Sequence, residues 1–124
     1  MPHYTLEQQA PLEEFAHFDV GQRADPEKQN LLHAPGVTVR EITPNIGTEL
    51  RGIQLSQLTT AQKDELALLA AERGLVIFHD QDFADIGPER QREFGKHFGP
   101  LHVHQMGGHI KDFPEVLPVY RDFV

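Results

Sequence analysis

The stretch from Leu58 to Phe78 constrains the fold more than any other part of this chain. Thr59 can cap a helix, and Gln62 three residues on completes a capping box. Leu66, Leu69 and Ala70 then form one apolar stripe, with Lys63, Asp64 and Glu72 turned to water. Gly74 directly after Arg73 is the expected glycine past a basic last turn. Leu75-Val76-Ile77-Phe78 follows at once and is wholly apolar, which predicts a buried strand. A helix that runs straight into such a strand requires helices packed on a sheet.

The flanking sequence extends this pattern. Val37–Ile42 alternates and is rich in β-branched residues, so it reads as a strand. Thr43-Pro44-Asn45-Ile46-Gly47 is turn chemistry, and a shorter strand follows from Thr48 towards Leu55. A second helix starts at Pro88, a residue suited to the first helical position. It carries Glu89 early and pairs Phe94 with Phe98 at i, i+4 before Gly99-Pro100 stops it. Val116–Tyr120 reads as a strand near a sheet edge because of Pro118. Residues 1–36 lack a sustained period and are interrupted by Pro11, Pro26 and Pro35. They read as an extended arm that drapes over its neighbour through Phe15, Phe18, Leu31 and Leu32; a disordered leader is the other reading. Residues 37–124 then form one unit of α+β or mainly β class, in the order strand, strand, helix, strand, helix, loop, strand. That is too few strands to close a barrel or jelly roll, which needs about eight. The expectation is therefore part of a larger domain.

Composition narrows the function. The formal charge is −8, with 19 acidic against 11 basic residues and no basic cluster. Nucleic-acid binding is not expected, since phosphate contacts need concentrated positive charge. With no cysteines there is no disulfide, thiolate metal site or cysteine nucleophile. No apolar run is long enough to span a bilayer, and the N-terminus lacks the basic and apolar regions of a signal peptide, so the cytoplasm is the expected compartment. Ser56 is the only serine, and there is no glycine-rich phosphate loop or Gly-x-Ser-x-Gly.

Chemistry concentrates between Phe94 and His109. Four of the eight histidines (His97, His102, His104 and His109) fall in this stretch. In an extended backbone His102 and His104 project from one face. Two readings stay open: a divalent-metal site made by His102, His104 and His109, with Asp112 as a further donor, or one wall of a larger active site. His17-Phe18-Asp19 has the spacing of the first two ligands of an iron triad but sits in the irregular arm, with no scaffold to hold it. His79-Asp80-Gln81-Asp82 ends the buried strand and reads as a polar strand exit capped by Asp80.

The motifs Ile46-Gly-Thr-Glu-Leu-Arg-Gly-Ile53, Leu58-Thr-Thr-Ala-Gln62, Arg73-Gly-Leu-Val-Ile-Phe-His-Asp-Gln81 and Phe94-Gly-Lys-His-Phe-Gly-Pro-Leu-His-Val-His104, with Gly108-His109, occur in one order. In that order and spacing the chain resembles the N-terminal part of the TauD/TfdA family of Fe(II)/2-oxoglutarate-dependent dioxygenases, and within it the fungal sulfonate/taurine dioxygenase-like branch. The resemblance implies part of a double-stranded β-helix, with the two helices packed on the strands. It also implies Fe(II) and 2-oxoglutarate as cofactors of the complete domain, and a small anionic, sulfonate-type substrate. The complete enzyme would be free to form a homo-oligomer. By the resemblance His104 is the substrate-binding residue, its imidazole donating to an anionic oxygen, and His102 supports it from behind. Gly107 stands where the family has a substrate tyrosine. The family's iron ligands and 2-oxoglutarate arginine fall beyond residue 124. None is therefore assigned to a residue here, and the chain alone is expected to be inactive.

Overall fold

The computed structural model describes residues 13–103 and 108–119. Its order is a 3-10 helix at Val20–Arg23, strands β1 (Thr38–Glu41) and β2 (Thr48–Arg51), helix α1 (Thr60–Arg73), strand β3 (Val76–Phe78) and helix α2 (Pro88–Lys96), with short 3-10 turns at Leu55–Gln57 and Phe83–Asp85. The three strands form one sheet in the order β1-β2-β3. β1 and β2 pair antiparallel, Val39 opposite Leu50, whereas β2 and β3 pair parallel, Glu49 opposite Ile77. The parallel pair is possible because α1 carries the chain back to the starting end of the sheet.

Helix α1 has the predicted ends. The Thr59 hydroxyl accepts from the Gln62 amide at 3.2 Å, and the Gln62 side chain accepts from the Thr59 amide at 2.9 Å. Gly74 ends the helix at φ +74°, where glycine carries no Cβ penalty. Arg73 locks this end onto the β1–β2 turn. Its guanidinium donates to the Thr48 hydroxyl and to the carbonyls of Thr43, Pro44 and Gly47 at 2.6–3.0 Å. The Arg-Gly pair is thus a joint between helix and sheet. Gly52 is a second fixed point. At φ +81°, a Cβ there would lie 2.1 Å from the Gly36 carbonyl oxygen, so only glycine allows the crossing.

The core lies between α1 and the sheet. Leu31, Leu50, Leu58 and Leu69 are buried, with Val76, Phe78, Leu66 and Phe94 packed around them. Three expectations change. β3 is half-buried rather than buried, because among the described residues it has a strand neighbour on one side only. No strand forms over Val116–Val119; the chain there makes a loop closed by an Ile110–Phe113 bridge and an Ile110 amide to Val116 carbonyl bond of 3.0 Å. Pro118 removes a donor that a ladder would need, and Tyr120 lies outside the described residues. The described residues thus contain a three-stranded sheet carrying helices.

The third change concerns residues 20–36, which are 3-10 helix and turns rather than an extended arm. Leu31 is fully buried and Leu32 packs on the core, while Phe15 and Phe18 stay exposed. Polar contacts hold the segment. Glu65 Oε1 accepts from the Asn30 and Leu31 amides at 2.8 and 3.3 Å, and Lys28 pairs with Glu72 at 2.6 Å. Gly21 sits directly on α1, where a Cβ would fall 2.9 Å from the Leu68 amide nitrogen. Helix α1 therefore has two buried faces, one on the sheet and one on this segment.

Candidate functional site

That second face explains a further correction. Asp64, expected to face water, is buried, and Ala70, expected in the apolar stripe, is exposed. The Asp64 carboxylate takes the Arg23 fork from the 3-10 helix, Nε to Oδ2 at 2.7 Å and a terminal nitrogen to Oδ1 at 3.1 Å. From α2's end, His97 Nε2 lies 2.7 Å from Oδ1. The Arg23 hydrogen bond, opposed by burial and supported by His97, holds the Asp64 carboxyl below the usual carboxylate range. Asp64 is thus an ionised group that can only accept, so His97 Nε2 carries the proton.

From His97 the chain enters the candidate site. Phe94 stacks edge-on against Phe83 at 5.1 Å and meets Phe98 at 5.3 Å, which fixes α2 over the core. Leu101 then folds back onto the helix, its Cδ2 2.9 Å from where a Cβ on Gly95 would stand. His102 follows, exposed. His104, with residues 105–107, lies outside the described residues. His109 is exposed, and its Nδ1 is 2.8 Å from its neighbour's Ile110 carbonyl, a contact in which the imidazole donates. Beyond it Arg92 of α2 lies over the Phe113 ring at 4.7 Å.

The other candidates resolve into structural roles. Asp19 caps the 3-10 helix, accepting from the Gly21 amide at 2.8 Å, and the His17 imidazole packs against Gly99. Neither is presented as half of a ligand pair. At the strand exit, Asp80 adopts φ +57° and Gln81, not Asp80, does the tying. Gln81 accepts from the Leu55 amide at 2.8 Å and donates to the Ile53 and His79 carbonyls at 2.7 and 2.8 Å. Gln54 and Ser56 complete the clasp through Asp80 and Asp82. His79 Nε2 is 3.6 Å from Glu49 on β2, too far for a hydrogen bond.

Among the described residues no group of three histidine, aspartate or glutamate side chains is placed to hold a metal ion. These residues do not fit an iron centre, and none is assigned as a ligand. Arg23, Asp64 and His97 were missed as a set because 41 and 33 residues separate the partners, and no local period links them. Four histidines close to one another in sequence are the available signal, and it leaves open a metal site or a substrate-facing wall, neither of which is a carboxylate clamp.

Comparisons with known proteins bear on what this frame serves. The chain is 51% identical over 110 residues to the alpha-ketoglutarate-dependent dioxygenase cnsP of Penicillium expansum, covering 88% of this chain and 30% of the relative. It is 46% identical over 123 residues to cnsM of the same organism, an alpha-ketoglutarate-dependent dioxygenase, covering 98% and 34%. It is also 46% identical over 118 residues to the alpha-ketoglutarate-dependent sulfonate dioxygenase of Saccharomyces cerevisiae, covering 93% and 29%. The chain thus spans about a third or less of the length of each of these relatives. The family model described as "Taurine catabolism dioxygenase TauD, TfdA family" matches residues 38–122. That match includes Gly52, the Arg73-Gly74 joint and the whole histidine segment, and the chain belongs to the TauD/TfdA family.

Proposed function

We propose that this chain supplies the N-terminal part of an Fe(II)- and 2-oxoglutarate-dependent dioxygenase acting on a small sulfonate-type substrate. The observation that carries the reading is the family match over 38–122, together with a 46% identical relative named as a sulfonate dioxygenase. In the proposed reaction one oxygen atom of O2 hydroxylates the substrate carbon. The other enters succinate as 2-oxoglutarate loses CO2. Where the hydroxylated carbon bears a sulfonate, it collapses to an aldehyde and sulfite.

His104 is proposed as the substrate contact. An imidazole N–H at a dry site is a strong donor to an anionic sulfonate oxygen. His102 supports that side of the site. Gly107 stands where the family has a substrate tyrosine, which argues for a sulfonate other than taurine. The 124-residue chain alone is expected to form no succinate, because no family iron ligand maps onto it.

A chimera tests this. This chain replaces the matching segment of the yeast sulfonate dioxygenase, and succinate and sulfite are measured across a panel of alkanesulfonates. Sulfite release, with KM raised at least about tenfold by His104→Ala, a loss of about 1.4 kcal/mol, is the expected result. A folded chimera that releases no sulfite from any sulfonate, or succinate production by the chain alone, overturns the reading.

A further inference from the structure

Three elements meet at one buried carboxylate that contacts the first histidine of the histidine segment. Asp64 from α1 is 7% exposed and receives both Arg23 and His97. Its partner His97 is the C-cap of α2, so this ring is anchored at the point where the chain leaves the helix. Two further contacts hold the exit. Gly99 turns the backbone at φ +147° with the His17 imidazole packed on it, and Leu101 lies back on Gly95. The next residues are His102 and Val103, which lead to position 104.

We infer that Asp64 is a positioning residue: through His97 it sets where the segment 99–103, which leads in sequence to the proposed substrate contact, is delivered. The inference rests on the reading of 102–104 as substrate-facing. An ionised carboxylate can only accept, so it selects the Nε2–H form of His97 and one ring orientation. Arg23 fixes the carboxylate in turn with two donors, a geometry that resists rotation. Packing of the N-terminal segment on α1 is thereby linked to the aim of a loop about 75 residues later.

The test uses NMR on the whole 124-residue chain without substrate, reading the contact between the Leu101 methyls and Gly95 and the imidazole signals of His102. His97→Leu is expected to lose the contact and shift the His102 signals. His97→Gln, whose amide N–H reaches the place of Nε2–H, is expected to keep both. Asp64→Asn, which keeps size but removes the charge, is expected to shift the same signals, and it carries the test if His97→Leu does not fold. The inference is overturned if folded variants lacking the clamp keep the contact and the His102 signals, or if Gln and Leu disturb them equally. Sulfonate activity of the chimera is a separate readout, so failure of the substrate reading is distinguishable from failure of the clamp.

Discussion

Two regions of this chain are held by different means. The block from β1 to β3 is fixed by backbone ladders, apolar burial and glycines that admit no side chain. The histidine-bearing segment after α2 is instead held by a carboxylate clamp, one ring on a glycine and one leucine folded back on its helix. On the proposed reading this segment meets a ligand, and a loop of that kind leaves polar groups out of a ladder, so that side chains from elsewhere hold its base. The contrast teaches that the rigid block serves as the platform and the segment takes its position from the clamp. The largest effect should therefore come from the block. Leu50 is fully buried on the central strand. Leu50→Ala should cost about 3 kcal/mol, the usual loss for a core leucine, read as a lower denaturant midpoint. A cost below about 1 kcal/mol, measured the same way, would show that the block is not the platform.

The clamp should fail next, and with a pH signature. Asp64 is held below the ordinary aspartate range, chiefly by the Arg23 hydrogen bond. A depressed carboxyl contributes stability above its unfolded value, about 3.9, and loses it as pH falls through its folded value. The stability gap between wild type and Asp64→Asn should thus be open at pH 7, roughly 2 kcal/mol for a buried charge-assisted hydrogen-bond set. It should close as pH drops below about 4. Urea midpoints of both proteins from pH 7 to 3 check this. A gap that stays constant with pH would show that Asp64 works by shape rather than charge.

The same contrast explains what the sequence revealed. α1, with its capping box and terminal glycine, is legible because its signals are local: Thr59, Gln62, Arg73 and Gly74 lie within one element. The strands up to Phe78 and the start of α2 at Pro88 are legible for the same reason. The packing of residues 20–36 is not, because Glu65, Glu72 and Leu68 hold it from 30 or more residues away, through backbone amides, the Lys28 ammonium and one glycine. The burial of Asp64 is illegible for a related reason. A charged residue on a helix is ordinarily solvated, and only its two distant partners make its burial tolerable. Family motifs single out His102 and His104 as proposals, whereas the Arg23–Asp64–His97 clamp depends on three-dimensional contacts that no spacing records.

The smallest effect sharpens the comparison by setting a local signal against a local contact. Thr59→Ala removes the hydroxyl that accepts the Gln62 amide at the start of α1. The cost of losing such a cap is about 1 kcal/mol, because one helix amide is left to water alone. His109→Ala removes an exposed ring whose described bond is to the carbonyl of the very next residue. That bond spans no elements and ties nothing together, so its loss should stay within about 0.5 kcal/mol, as for other surface changes. Thermal unfolding of the two variants side by side decides the matter. A larger drop in His109→Ala than in Thr59→Ala would mean that the histidine segment carries stability of its own, and that the division between platform and delivered segment is wrong.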